Sequence, residues 1–249
     1  MKKQLLIIAT ITTIVFTSCS KEKIETPQTN QPEEIAGARG GGGGIVSPSL
    51  GMGLIGRFEF DGNLDDITGQ IKSGTPVAGT PIYGADRKGV RGRAITFNEK
   101  YGVIVNDVPL DSNMSISFWM KYDMTPEEYF INFVEGSSSF AFQHRDKNKF
   151  QGGYWNHTTP AYIISKPLVN TWHQMAATRD NNTYKFYIDG KLVGSTPIVT
   201  PGAVPALTNQ YVLGFAYNAG YKYWKGSLDD LRIYNRVITA TEVQALFNL

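Results

Sequence analysis

The C-terminal segment from Lys225 to Phe247 constrains the fold most, because it predicts one strand followed by one short helix. In residues 227–234 apolar and polar residues alternate imperfectly, as in a strand with one buried face. Leu231 and Ile233 lie on the predicted buried face. The opposite face holds Asp230, Arg232 and Tyr234.

A short amphipathic helix is predicted directly after this strand. Thr239 and Glu242 have the spacing of a capping box, in which a hydroxyl and a carboxylate each accept a hydrogen bond from a free backbone N–H at the helix start. The apolar stripe of the helix consists of Val243, Leu246 and Phe247.

Turn signals between strand-like runs recur upstream. Asp189 and Gly190 separate residues 184–188 from residues 191–194 and suit a two-residue type I′ turn, in which both positions have positive φ. Two further runs, 130–134 and 140–143, flank small residues and predict another hairpin. A single strand is predicted over residues 211–216. The composition of the whole chain, with frequent Gly and Pro and 12% aromatic residues, is typical of an all-β domain.

Five further segments with strand and turn patterns precede the C-terminal segment, in this order along the chain: Leu54–Asn63, Asp65–Gly69, Met114–Lys121, Asn170–Thr178 and Tyr184–Val193. Together with the C-terminal segment, they resemble the laminin-G-like, concanavalin A-like domains of bacteria. The resemblance covers residues 51–249. It implies an all-β fold, a concanavalin A-like jelly-roll β-sandwich of two antiparallel sheets with a short C-terminal helix.

The first 19 residues predict a lipoprotein signal peptide. Lys2 and Lys3 precede an apolar run that is too short to span a bilayer comfortably, and the run ends at small residues. The run is followed by Phe16-Thr-Ser-Cys19, which resembles a bacterial lipobox, so Cys19 is the predicted lipidation site. Because Cys19 is the only cysteine, an intramolecular disulfide is excluded.

Residues 20–50 predict a disordered linker rich in Gly and Pro, because they contain five consecutive glycines and no aromatic residue. Signal removal takes away Lys2 and Lys3 and no acidic residue, so the formal charge of +2 falls to zero. A neutral chain offers little electrostatic attraction to nucleic acid or to an anionic surface. We therefore expect an outer-membrane lipoprotein that contacts the membrane through its lipid anchor only. The charged residues after Cys19 are compatible with exposure at the cell surface.

No paired-carboxylate motif of a glycosidase is found in the sequence. The nearest match to the laminarinase-like run Glu-x-Asp-x-x-Glu begins at Glu59 and Asp61, but Leu64 occupies its third acidic position. Asp229 and Asp230 are adjacent, and on a regular strand they point to opposite faces. The expectation is that the protein is not an enzyme.

The family resemblance implies a structural calcium ion with Asp61 and Asp229 as ligands, since these residues adjoin the first and last strands. The alternative is that Asp61 only starts an Asp-Gly turn and that Asp229 only binds local backbone.

Aromatic residues mixed with polar residues favour carbohydrate binding in one segment. Sugars stack on aromatic rings, and loop-borne aromatic residues are enriched at binding sites. The candidate ligand-binding residues are Tyr154, Trp155, Asn156, His157, Tyr162 and, from a second aromatic cluster, Tyr221. The alternative is that Trp155 folds back onto the domain. Other residues with a predicted packing or structural role are Trp119 and Trp172 (core), Trp224 (packed) and His173 (structural).

These observations predict non-catalytic binding of a glycan or polysaccharide by a lipid-anchored bacterial envelope protein. One alternative is an adhesin or scaffold with an envelope or host protein partner. The other is a glycoside hydrolase with unrecognised catalytic carboxylates. The superfold hosts all three, so the fold alone does not decide between them.

Overall fold

A computed structural model describes residues 50–109, 111–123, 131–136, 141–144, 149–153, 162–165, 170–198, 209–216 and 222–249. All of them belong to one compact unit, Gly43–Leu249.

The described residues form strands and one helix. The elements are β1 (Leu54–Phe58), β2 (Thr75–Val77), β3 (Tyr83–Ala85), β4 (Arg91–Asn98), β5 (Gly102–Asn106), β6 (Met114–Tyr122), β7 (Ile131–Gly136), β8 (Ala141–His144), β9 (Lys149–Gly153), β10 (Tyr162–Ser165), β11 (Trp172–Arg179), β12 (Thr183–Ile188), β13 (Lys191–Pro197), β14 (Gln210–Leu213), β15 (Phe215–Ala216), β16 (Lys222–Tyr223), β17 (Lys225–Tyr234) and α1 (Ala240–Phe247).

Two antiparallel sheets contain most of these strands, which confirms the predicted fold class. Sheet A has the order β13-β12-β11-β6-β17-β4-β3, and β1 also pairs with β17. Sheet B has the order β10-β9-β8-β7-β14-β5-β2, while β15 and β16 form a separate two-stranded ribbon. The last strand is therefore the central strand of sheet A, bonded to β1, β4 and β6.

The main hydrophobic core lies between the inner faces of the two sheets. Sheet A contributes alternate residues of β6 together with Leu228, Leu231 and Ile233 of β17, and sheet B contributes alternate residues of β5 and β14. The largest fully buried side chain is Trp224, which confirms its predicted packing. It lies 5.7 Å from the ring of Phe97 and 6.3 Å from that of Tyr122, measured between centroids.

A second apolar cluster covers the outer face of sheet A. Helix α1 packs Val243 and Leu246 against Tyr234, Ala176 and Tyr187. The predicted capping box is present: the backbone N–H of Glu242 donates to the Thr239 hydroxyl (3.2 Å), and that of Thr239 donates to the Glu242 carboxylate (2.7 Å). Burial of one helix face, rather than helix propensity, is what holds so short a helix on the sheet.

The predicted Asp189-Gly190 turn is confirmed, with φ of +49° and +75° between β12 and β13. The predicted strand over residues 211–216 is broken, in contrast, at Gly214. This glycine has a φ of +77°, and a Cβ there would lie 2.2 Å from the Phe97 ring. Close approach to a core ring therefore ends β14 and starts β15, a constraint that the local sequence does not carry.

The acidic loop after β1 is organised by one carboxylate. Asp66 accepts hydrogen bonds from the backbone N–H groups of Arg57 (2.7 Å), Thr68, Gln70 and Ile71 (each 3.0 Å) and from the Thr68 hydroxyl (2.6 Å). Partial burial opposes ionisation, but these bonds outweigh it and lower the pKa of Asp66. The loop is thus pinned to the first strand.

Candidate functional site

Five of the six sequence-predicted ligand residues lie between the end of β9 and the first residue of β10 along the chain. Tyr162 is the first residue of β10 and pairs with Gly152 of β9. Tyr154, Trp155, Asn156 and His157 follow the last residue of β9 but lie outside the described residues, as does Tyr221. Their role in binding stays a prediction.

Strand register shows how the described flanks of these residues are arranged. The last residue of β9, Gly153, pairs with Ala141, which pairs with Glu135 of β7, and Glu135 pairs with Val212 of β14. In contrast, β16 begins at Lys222, directly after Tyr221, and pairs with Ala216 beyond the end of β14. The end of β9 is therefore in register with Val212, four residues before the residue that pairs with Lys222.

Sheet B also contains a row of amide residues that the sequence analysis did not identify. Asn132 of β7 pairs with Gln143 of β8, which pairs with Gln151 of β9. Phe142, next to Gln143, belongs to the core. An amide can both donate and accept hydrogen bonds, as recognition of hydroxyl groups requires. Only the pairing register of β7, β8 and β9 makes the three residues neighbours. The alternation of apolar and polar residues within β8 and β9 is visible in the sequence.

A cluster of charged residues lies on the outer face of sheet A. A β-bulge interrupts the pairing of β17 with β6 between Asp229 and Arg232, and Asp230 has a φ of +46°. The guanidinium of Arg87 lies 2.7 Å from the carboxylate of Asp229 and 3.7 Å from that of Asp230. The expectation that the two carboxylates point to opposite faces is therefore wrong, because the bulge turns both toward one arginine.

Asp230 and Asp229 differ in their electrostatic surroundings. Arg232 binds Asp230 in a bidentate arrangement (2.9 and 3.0 Å), and Arg57 adds a third positive charge at 3.4 Å. Burial would raise the pKa of Asp230, but the arginines outweigh burial and lower it. For Asp229 burial dominates and raises the pKa to about 6, although Arg87 opposes the shift.

This pair of carboxylates does not suit acid–base catalysis on a polysaccharide. Asp229 and Asp230 are 4% and 7% exposed, so a substrate has little access to them. Their oxygens are bound by arginines, which compete with any proton transfer to a glycosidic oxygen.

The two predicted calcium ligands contact different arginines. Asp61 lies 3.5 Å from Arg93 at the surface, and Asp229 lies 2.7 Å from Arg87. An arginine beside each carboxylate does not favour a divalent cation there. Within the described ranges, no group of three or more His, Cys, Asp or Glu residues is arranged to hold a metal. Calcium binding stays a prediction, which calcium-dependent thermal melting tests.

The three tryptophans that the structure describes divide into one core residue and two outer-face residues. Trp224 is in the core, but the prediction that Trp119 and Trp172 are core residues is wrong. Trp119 stacks on Phe247 of α1 (5.6 Å, 18°) and under Arg87 (5.0 Å). Trp172 is half-buried, with the Lys121 ammonium 5.8 Å from its ring centroid. Strands β6 and β11 each bury residues on both faces of sheet A. The alternation of apolar and polar residues in the sequence does not show that the outer face is covered.

His173 has the structural role predicted for it. Its Nδ1 lies 2.8 Å from Oδ2 of Asp189, whose other oxygen accepts from the backbone N–H of Gln174 (3.0 Å). The contact ties β11 to the type I′ turn.

In the part of the chain that the structure describes, no helix is long and apolar enough to cross a membrane.

Several solved structures share this fold. Domain 4 of an extracellular GH43 arabinanase from Geobacillus stearothermophilus, in complex with arabinotriose, aligns with a TM-score of 0.60 at 24% identity, covering 78% of this chain and 97% of that chain. The receptor binding domain of botulinum neurotoxin C/D mosaic serotype aligns with a TM-score of 0.64 at 16% identity, covering 79% of this chain and 51% of that chain. At these identities the likeness shows the fold alone.

A third similar structure is the binding domain of botulinum neurotoxin DC in complex with rat synaptotagmin II. It has a TM-score of 0.62 at 14% identity, with coverage of 80% of this chain and 52% of that chain.

No curated protein sequence matches the chain significantly. A family model matches residues 97–244. The match spans more than half of the chain, and the chain therefore belongs to the concanavalin A-like lectin/glucanases superfamily.

Proposed function

We propose that this protein binds carbohydrate without cleaving it, as a lipid-anchored protein of the bacterial outer membrane. The observation that carries the proposal is the amide row of Asn132, Gln143 and Gln151 across sheet B. The row lies on the sheet from which the Trp155 segment continues, so amide groups and loop aromatics adjoin along the chain. This is the residue mixture by which sugars are recognised.

The similar structures support a binding role of this kind. The arabinanase domain is described in complex with arabinotriose. For botulinum neurotoxin type C, another protein with this fold, cell entry is described as dependent on interaction with two ganglioside molecules. The complex of a related neurotoxin domain with synaptotagmin favours a protein partner as the second candidate. These proteins with the same fold are thus described as binding a carbohydrate or a protein.

A non-catalytic role is supported by the charged cluster. The carboxylates of Asp229 and Asp230 are buried and bound by Arg87 and Arg232, which leaves them unsuited to general acid–base catalysis. Release of reducing sugar from a polysaccharide by the purified protein would contradict this part of the proposal.

The test is a glycan array probed with the full-length protein in detergent, together with Trp155→Ala and Trp155→Phe variants. We expect a coherent set of bound glycans, lost in Trp155→Ala and largely retained in Trp155→Phe, which keeps an aromatic ring. A blank array from protein with a cooperative melting transition would reject carbohydrate binding. Pull-down of envelope or host proteins would then test the second candidate.

A further inference from the structure

The outer face of sheet A has two tryptophans in different environments. Trp119 and Trp172 belong to neighbouring strands, and each alternates with residues that face the core. The ring of Trp119 is covered by Phe247 and Arg87. Among the described residues, Trp172 stacks on no other ring, and the ammonium of Lys121, its cross-strand partner, lies over its ring. Helix α1 thus protects one ring, while the other stays partly accessible.

Polar residues lie at the end of the neighbouring strand β6 and, two strands beyond it, at the end of β4. Asn98 ends β4 and pairs with Lys225, the first residue of β17. Asp123 directly follows β6, and its backbone N–H donates to the carbonyl of Lys225 (3.4 Å). The ammonium of Lys121 lies 4.0 Å from Oδ1 of Asp123. We call Asn98, Lys121, Asp123, Trp172 and Lys225 the Trp172 surface.

Two acceptors of the Trp172 surface lack a hydrogen-bond donor among the described residues. The Oδ1 atoms of Asn98 and Asp123 are buried and accept no hydrogen bond from any described residue. A buried acceptor without a donor costs about 1–3 kcal/mol, so such atoms are favourable positions for a donor supplied by a ligand. The side chains themselves are not sealed off, since that of Asp123 is 24% exposed and that of Lys121 is 29% exposed.

We infer that the Trp172 surface is a binding subsite for an uncharged pyranose sugar. The C–H face of the sugar packs on the accessible part of the Trp172 ring. Sugar hydroxyls donate to Asp123 and accept from Lys121, since a carboxylate only accepts and an ammonium only donates. Next to the Trp172 ring, Lys121 and Asp123 balance each other in charge, whereas Lys225 lies on β17, one strand beyond β6. The pair beside the ring therefore favours a neutral sugar over a uronic acid. The inference rests on the proposed function but concerns sheet A, whereas the predicted ligand residues adjoin sheet B.

The test measures binding of arabinotriose, xylotriose, cellotriose and trigalacturonic acid to the full-length protein in detergent, by isothermal titration calorimetry. We expect at least one neutral trisaccharide to bind, with affinity reduced tenfold or more by Trp172→Ala and less by Trp172→Phe. Lys121→Ala is expected to weaken binding severalfold. Lys185→Ala is the matched control: it removes a half-buried lysine of sheet A, on β12, and leaves affinity unchanged.

Several outcomes would overturn the inference. If a neutral trisaccharide binds Trp172→Ala and the wild type with equal affinity, the surface is not a subsite, although carbohydrate binding stands. If Trp172→Ala fails to fold, unchanged binding by both Trp172→Phe and Asp123→Asn rejects the surface. Binding of trigalacturonic acid alone rejects the neutral-sugar assignment. Absence of binding to any of the four oligosaccharides, together with a blank array, rejects the proposed function itself.

Discussion

Arg87 lies between two adjacent carboxylates of the central strand, 2.7 Å from Oδ2 of Asp229 and 3.7 Å from Oδ2 of Asp230. The arginine comes from the turn between β3 and β4, so one side chain ties that turn to the bulge in β17. Its guanidinium also lies over the ring of Trp119, which stacks on helix α1. Three separate parts of the chain therefore meet at Arg87.

Arg87→Met is expected to destabilise the protein by about 3 kcal/mol at neutral pH, because it leaves the Asp229 carboxylate buried without its partner. Urea denaturation measures the free energy of unfolding. Arg93→Met is the control, since Arg93 forms an exposed pair with Asp61 and should change stability by about 0.5 kcal/mol or less. Equal effects of the two substitutions would show that Arg87 is not a structural centre.

Asp229 predicts an unusual dependence of stability on pH. Its pKa is about 6 in the folded protein and about 4 in an unfolded chain. Because the folded value is higher, the stabilising contribution is fully present below pH of about 4 and is lost as pH rises through about 6. Asp66, Asp230 and Glu242 have lowered pKa values, so their contributions are lost only at more acidic pH.

Asp229→Asn should remove this loss. Between pH 4 and pH 7, we expect the free energy of unfolding of the wild type to fall by on the order of 2 kcal/mol relative to that of the variant. Urea titrations at several pH values measure the difference. Parallel pH profiles of the two proteins would contradict the raised pKa of Asp229.

Thr239→Ala should lower stability by about 1 kcal/mol, because it removes the hydroxyl that caps helix α1. Thr241→Ala makes the same chemical change two residues later, at an exposed position inside the helix. There alanine is the better helix former, so we expect no loss of stability. Thermal melting of both variants tests the cap, and a similar melting temperature for the two would exclude a specific role of Thr239.

Cys19→Ser should abolish attachment of fatty acid to the protein. Labelling of cells with radioactive palmitate, followed by purification, measures incorporation, and fractionation measures release from the membrane. Ser18→Ala leaves the cysteine in place and should be labelled like the wild type. Equal labelling of Cys19→Ser would place the modification elsewhere or disprove a lipid anchor at this residue.

The features predicted correctly from the sequence are those set by neighbouring residues. The Thr239–Glu242 capping box and the Asp189-Gly190 turn both depend on residues a few positions apart, so their local chemistry is sufficient. The two sheets also follow from alternating strands between turn signals. Such features require no knowledge of which strands are neighbours.

The features that were missed depend on contacts between distant segments. Leu228 and Leu231 are both in the core although they are three residues apart, and the bulge at Asp230 makes this possible. The imperfect alternation in β17 was its signal. Trp119 belongs to the outer face because α1 returns to cover it. The amide row on sheet B exists only in the register of three strands, and no single segment predicts it.

The central position of β17 determines when this domain can assemble. Protein synthesis proceeds from the N-terminus, yet the strand made last separates β4 from β6 and also pairs with β1. Until residue 234 has been made, sheet A consists of separate pieces with unpaired edges, which are prone to intermolecular association. The domain is thus expected to fold only after β17 has been synthesised, and deletion of β17 should leave no partially functional product.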